Sequence, residues 1–530
     1  MKRSFTILLF LFLQNFLFAQ TLTSSNLPII VINTNGQGII DDPKITADMG
    51  IIFNGENVRN NIADPYNHYN GKIGIEIRGQ SSQMFPMKSY GIELRDALGA
   101  SLDKSLFGMP KEADWVLYAP YTDKTLMRNF LAYTMSNEIG RWAAHCRFVE
   151  VVVNGDYKGI YVFMERIKRG SGRVNVAKIA NTDVTGDAVT GGYIFSLDKE
   201  PNGWFSSYIT PGSINNAKRQ FSYVYPKPEN IVQAQKDYLK KYVDSFENAL
   251  AAPTFQDKTS GVRNFADLSS FIDYFIVNEV SRNVDGYRLS TYLYKDRDSK
   301  NRKIFAGPAW DYDLAFRNAN YCEGSNTNGW AYQFNNVCPA DGAGLIPFWW
   351  ERLMRDTAFV SDLRCRWKTM RESTISNDHL DHIIDSVVTL TNEARQRHFQ
   401  RWPILGQYVW PNPNPIPTSY SGEITALKEW ITNRLSWMQD IVNENLEVSV
   451  YPNPNNGIDV TIKIKTKDRQ TIYLNVFDGI GHLVHTQSIN AVPVSNFITI
   501  EGAKKWQTGI YYFVFVNKDG ETISKKVMKY

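Results

Sequence analysis

Between residues 450 and 457 the chain reads Val-Tyr-Pro-Asn-Pro-Asn-Asn-Gly, and this run constrains the fold most. Two prolines and a glycine among asparagines make a turn-forming linker that a helix cannot cross. Before it, Ile424, Leu427, Ile431, Leu435, Met438 and Ile441 recur at helical spacing. After it the apolar positions alternate: Val460/Ile462/Ile464, Ile472/Leu474/Val476, Phe497 to Ile500 and Tyr511 to Val516. A switch of period from 3.6 to 2 across a breaker marks a domain boundary, and short strands over about 80 residues predict a small β-sandwich.

The N-terminus has a different purpose. Lys2 and Arg3 precede an apolar run from Phe5 to Phe18, and Ala19 offers a small residue for cleavage. That is the pattern of a secretory signal, too short for a comfortable membrane span. Its removal takes the formal charge from +4 to +2, which gives no electrostatic case for nucleic acid. No other stretch approaches a transmembrane length, so no span is expected in the mature chain. Hydrophobic residues make up 43% of the sequence, which excludes wholesale disorder. Four cysteines are too few for a disulfide scaffold. Cys322 and Cys338 flank a polar loop and are the expected bridge, while Cys146 and Cys365 read as buried thiols.

From Ile45 to about Lys199 the chain is strand-rich, with Ile73/Ile75/Ile77 and Tyr90/Ile92/Leu94 alternating. The segment before it, 20–44, reads as a lead-in holding one strand, Leu27 to Asn33. A helix is predicted from Lys124 to Ile139, and Asn154-Gly155 joins two strands as a hairpin. The second half is mostly helical, with a stripe from Leu268 to Ile276 capped by Asn264 or Asp267. Strands follow at Ser290–Tyr294 and Lys303–Gly307.

Several familiar sites are absent: no phosphate loop of the P-loop type, no Gly-x-Ser-x-Gly elbow and no His-Glu-x-x-His. His379 and His382 among Asp378, Asp381 and Asp385 read as a solvated helix face before a metal face. The concentrated signal lies between residues 278 and 313. Asp285 follows a helix end, a hairpin comes next, and Asp311 and Asp313 stand just past it. Such carboxylates can converge, one taking a hydroxyl proton and another holding magnesium, as phosphoryl transfer requires. They can equally cap turns, as Asp routinely does. On the strand side, Lys88 shares a face with Tyr90, Ile92 and Leu94, and Arg78-Gly79-Gln80-Ser81-Ser82 forms a turn offering N–H groups to an anion.

Five ordered blocks now carry a resemblance: RGQSSQMFPMKSYGIEL, FGMPKEADWVLYAPYTDKTLMRNFLAY, RFVEVVVNGDYKGIYVFMERIK, NEVSRNVDGYRLSTYLYKD and AGPAWDYDLAF. In this order they resemble the CotH family of spore-coat and secreted protein kinases. The resemblance implies an α+β, atypical protein-kinase-like two-lobed domain over residues 45–445, with an N-lobe to about 200 and a C-lobe beyond. It also implies ATP with Mg2+ or Mn2+ between the lobes. Carried over, Lys88 resembles the phosphate-contacting lysine, Asp285 the catalytic aspartate and Asp311 the metal-binding one, with Asp313 a further ligand. Arg78, Ser81 and Ser82 would line the phosphates, and Met164 and Glu165 the adenine edge. Glu138 would pair with Lys88, with Asp123 and Arg128 as alternatives for polar work near that helix. Two features depart from the kinase pattern: no Gly-x-Gly-x-x-Gly loop is present, and Ser290 stands where catalytic loops place a metal-binding Asn.

The last segment has its own resemblance. Tyr451-Pro452-Asn453-Pro454, the strands after it, Gly509-Ile510-Tyr511-Tyr512 and Lys525-Lys526-Val527 look like a type IX secretion sorting domain over 446–530. An ordinary carbohydrate-binding sandwich is the plainer alternative. The resemblance implies a Bacteroidetes-type bacterium, passage through the periplasm and a secreted or outer-membrane-surface destination. The leading expectation is a kinase acting on Ser or Thr hydroxyls of secreted or surface proteins. A non-catalytic attachment module stands beside it, with Trp349, Trp350, Trp402 and Trp410 as sugar-stacking candidates. A hydrolase using Asp285 and Asp311 as an acid/base pair is the third reading.

Overall fold

The computed structural model describes residues 22–530 apart from 201, 339–343, 440–445, 467–468, 493, 518–519 and 521. The expected signal segment and Ile441 lie outside the described residues. The chain divides into two compact units between residues 435 and 436.

The first unit opens with a small ribbon of β1 (Ser24–Ser25) and β4 (Asn60–Asn61), beside a closed barrel. The barrel strands are β2 (Ile29–Asn33), β3 (Ile45–Ile52), β5 (Tyr69–Arg78), β6 (Ser89–Arg95), β7 (Asp114–Tyr118), β8 (Cys146–Val153) and β9 (Asp156–Glu165). They run in the order β2-β3-β5-β6-β7-β9-β8. Closure comes from β2 pairing parallel to β8, with Ile30 opposite Val151. Alternate residues point inward, so Ile73, Ile75, Ile92, Leu94, Val149 and Val151 share one core. Each such side chain contributes about 1.5–3 kcal/mol by leaving water. Ile29–Asn33 is therefore a barrel strand and not part of a lead-in. The strand looked solitary because its parallel partner lies far along the sequence.

Asn154 and Gly155 have φ of 52° and 78°, the left-handed pair that a tight β8–β9 hairpin needs. Helix α1 (Arg128–Glu138) starts later than expected, because Leu126 has φ 66° and cannot be helical. Asp123 instead gathers the backbone N–H groups of Thr125 and Arg128 and the Arg128 guanidinium.

A five-stranded sheet follows, ordered β11-β12-β10-β13-β14: β10 (Tyr193–Leu197), β11 (Trp204–Ile209), β12 (Lys218–Tyr225), β13 (Thr291–Lys295) and β14 (Ile304–Ala306). Serines and a glutamine interrupt the apolar pattern of β11 and β12, which the sequence reading missed. The helices are α2 (Gln233–Ala251), α3 (Leu268–Ser281), the turn α4 (Asp298–Asn301), α5 (Trp349–Leu353), α6 (Thr357–Arg371), α7 (Asn377–Leu390), α8 (Ala394–Arg401), which packs on barrel strand β9, and α9 (Tyr420–Met438). Asp267 caps α3 by accepting the Ser270 N–H at 2.9 Å. Trp349 and Trp350 are buried in the core, and Trp402 packs against the barrel core, so none of the three is a free sugar platform.

At the end of α3, Glu279 is fully buried and paired with fully buried Arg434 at 3.0 Å. It also accepts the N–H groups of Ala331 and Tyr332 and the Tyr287 hydroxyl. This network fixes the helix end from which the Asp285 loop departs.

The second unit is a sandwich of β15 (Leu446–Tyr451), β16 (Val460–Thr466), β17 (Gln470–Asp478), β18 (Leu483–Ala491), β19 (Val494–Ile500), β20 (Gly509–Asn517) and β21 (Thr522–Lys529). Sheet β15-β16-β19 faces sheet β18-β17-β20-β21 over Ile462, Ile464, Leu474, Val476, Phe513 and Phe515. The proline–asparagine run is a turn of this sandwich and not a linker before it. Asn453 explains why: its amide donates to the Lys526 carbonyl at 2.8 Å and accepts the Met528 N–H at 3.1 Å, tying the turn to β21.

Candidate functional site

Past α3 the chain turns sharply, with Arg282 at φ 45°, into the loop carrying Asp285. Asn283 organises it by accepting the Asp285 N–H at 3.2 Å and donating to the Asp311 carbonyl at 3.1 Å. Gly286 has no room for a side chain, since a Cβ there would lie 2.5 Å from Asn278 Oδ1. Asp311 adopts φ 67°, held by its N–H to the Tyr133 hydroxyl at 3.0 Å and by the Tyr312 N–H to Asn129 Oδ1 at 2.6 Å. Helix α1 thus pins the segment that presents Asp311.

Asp285, Asp311 and Asp313 lie near enough to feel one another's charge. Burial raises the Asp285 carboxyl, with Arg288 opposing from 3.6 Å. Burial and then the negative charge of Asp285 push Asp311 up to about 6, against the pull of Arg78. Asp313 is raised well above the usual carboxylate range by burial and by Asp311 and Asp285. Mutually repelling, half-desolvated carboxylates favour a cation or a shared proton.

A fourth carboxylate escaped the sequence reading. Leu197 pairs with Thr291 in the β10–β13 ladder, which sets Asp198 level with Ser290. Asp198 accepts the Lys199 N–H at 2.8 Å, feels the nearby backbone N–H of Ser290, and its charge acts on both Asp285 and Asp311. The available signal was an aspartate directly after an apolar strand.

Of the expected cations, Lys88 donates to the Gln83 carbonyl, while the field of Arg78, at the end of β5, reaches Asp311 together with that of Lys199. The Arg78 guanidinium lies 5.7 Å from the Trp310 ring. Exposed Arg166, expected with Met164 and Glu165 at the interlobe connection, acts on Arg78 from the chain leaving β9. Between them the Gly79–Ser82 turn is closed on itself: Gly79 has φ 98° and a Cβ would meet Ser82 Oγ at 2.0 Å. Ser81 is exposed and Ser82 half-buried on this turn.

Other expected residues are engaged elsewhere. Glu138 accepts from His379 at 2.7 Å, because its helix face meets α7 and not the barrel mouth. Met164 is buried between β7 and β8. Glu165 is fully buried against Arg173 at 3.2 Å and His145 at 2.6 Å. Neither side chain is presented to a ligand. Asp123 and Arg128 bind one another and brace the start of α1.

The disulfide Cys322–Cys338 is present, and Arg288 lies against it, donating to Cys338 Sγ at 3.1 Å. Beside it Tyr321, whose phenol feels the charge of Asp285, stacks on partly exposed Trp410 with centroids 6.0 Å apart. Cys365 is exposed, contrary to expectation, while burial pushes the half-buried Cys146 thiol upward. Lys428 reaches Asp385 at 2.8 Å and Asp381 at 3.9 Å, which makes the His379 face an ion-pair surface.

Among the described residues, no three His, Cys, Asp or Glu side chains stand close enough to hold a metal by themselves. A cation at the aspartates would therefore share its coordination with oxygen from a bound molecule, as magnesium does with phosphates. A separate cavity of about 240 Å3, lined by Trp142, Arg173, Tyr274 and Tyr294, does not include the aspartates.

Residues 75–438 match the family model described as CotH kinase protein, and residues 449–530 match the one described as Secretion system C-terminal sorting domain. No curated protein matches the chain.

Proposed function

The chain belongs to the CotH kinase protein family, and from that premise we propose that its first unit is a two-lobed, kinase-like phosphotransferase. In this reading it moves the γ-phosphate of ATP to Ser or Thr hydroxyls of exported or surface proteins. The sorting domain ties the chain to type IX secretion and to the outer-membrane surface or the extracellular space. Among the described residues no helix is long and apolar enough to cross a membrane.

The observation that carries the reading is the meeting of Asp285 and Asp311, from loops on either side of the β13–β14 hairpin, opposite Arg78. Hard carboxylate oxygens without a complete ligand set suit a magnesium or manganese ion that also binds phosphates. Such an ion, when bound, neutralises charge on the transferred group. Asp311 and Asp313 are the residues to hold it. Asp285 accepts the proton of the attacking hydroxyl, and its raised pKa brings proton affinity toward neutral pH. Arg78 offsets the negative charge of the phosphates from the barrel side.

The test is calorimetric titration of ATP with Mg2+ or Mn2+ into the mature chain, beside Asp311→Ala, Arg78→Met and Lys88→Met. Metal-dependent binding should vanish in Asp311→Ala and weaken at least tenfold in Arg78→Met, with a smaller change in Lys88→Met. A folded chain that binds ATP with neither metal overturns the proposal.

A further inference from the structure

Kinase catalytic loops place an asparagine five residues after the catalytic aspartate, where it reaches the second metal ion. Here that position is Ser290, whose short neutral hydroxyl is a weak partner for a hard divalent ion. The structure puts a stronger one at the same place. Strand β10 runs antiparallel to β13 with Leu197 opposite Thr291, so the residue beyond the strand end, Asp198, falls level with Ser290. Its carboxylate accepts the Lys199 N–H at 2.8 Å and lies near enough to the backbone N–H of Ser290 to be stabilised by it. Asp198 is only partly exposed and shares its surroundings with Asp285 and Asp311.

We propose that Asp198 supplies, from the neighbouring strand, the second metal-facing oxygen that Ser290 does not provide. The proposal rests on the functional reading above and names a residue for it. Asp198 is then a metal-positioning residue: a carboxylate from β10 replaces a carboxamide from the catalytic loop. The loop keeps the shape that asparagine would need, because Ser290 has φ 46°, a left-handed conformation in which Asn is enriched. A Ser290→Asn chain should therefore fold without strain at that position.

The experiment counts Mn2+ ions by electron paramagnetic resonance on the mature chain with a non-hydrolysable ATP analogue. The wild type should bind two ions per chain. Asp198→Ala should bind one, with the other weakened at least tenfold, and its melting temperature reports whether the fold is kept. Asp198→Ala/Ser290→Asn should regain the second ion, which a merely structural role for Asp198 does not explain. Two ions bound by Asp198→Ala with affinities within twofold of wild type would overturn the inference and leave the kinase reading intact. So would a single ion in the wild type. A wild type with no metal-dependent nucleotide binding would remove both.

Discussion

Replacing Arg434 with Met leaves Glu279 without its guanidinium partner in a site where both side chains are fully buried. Three donors remain, the Ala331 and Tyr332 N–H groups and the Tyr287 hydroxyl. Three neutral hydrogen bonds do not replace a charge partner, and removing one member of a buried pair costs about 3–5 kcal/mol. The cost should depend on pH. Burial already raises the Glu279 carboxyl above its ordinary range, with Arg434 as the largest opposing influence. Without Arg434 the folded-state pKa climbs further, so the folded variant holds a proton that the unfolded chain releases. Stability then rises as pH falls toward the unfolded carboxylate range. Urea unfolding followed by tryptophan fluorescence should show a large loss at pH 8 and a smaller one at pH 5. Adding Glu279→Gln should recover part of the loss at pH 8. A cost below about 1 kcal/mol at pH 8, or one equal at both pH values, would refute the view that an uncompensated charge governs this helix end.

Removing the Cys322–Cys338 bridge by double substitution to Ser should cost about 3 kcal/mol, read by the urea midpoint in reducing and non-reducing buffer. Because Asp311 is raised from 3.8 to about 6, its folded form keeps a proton that a metal must displace. Metal-dependent ATP affinity should fall by up to about tenfold per pH unit below that value, while this group by itself makes the ion-free chain more stable as pH drops from about 6 toward 4. Calorimetry from pH 5 to 8 checks the first, and melting curves without metal check the second.

What could be read from the sequence was what local chemistry announces. Asn154-Gly155 has one good conformation, Asp267 precedes an apolar helix, and Asp285 and Asp311 punctuate a hairpin; each sits where its neighbours implied. Lys88 shows where local rules stop. Alternation puts it on the face of Tyr90, Ile92 and Leu94, but that face is the inside of a closed barrel, and the core residue beside the start of β6 is Met87. Its ammonium donates to the Gln83 carbonyl, while the field of Arg78, at the end of the adjacent strand, reaches Asp311. Asp198 was hidden for a related reason: its place beside Ser290 follows from a strand pairing that joins distant residues. Glu138 required knowing that α7 covers its side of α1. The proline–asparagine run was correctly read as a turn, but only the strands on both sides show which body it belongs to.

The parallel contact of β2 with β8 also sets an order of events. Strand β2 is complete early in the chain, yet its partner is supplied only when residues 146–153 emerge. Until then the edge of β2 is open and the barrel cannot shut, and contacts of such long sequence separation form slowly. A fragment begun at residue 75, where the family match starts, would never close. It would lack both β2 and β3, leaving the inner edges of β5 and β8 without partners.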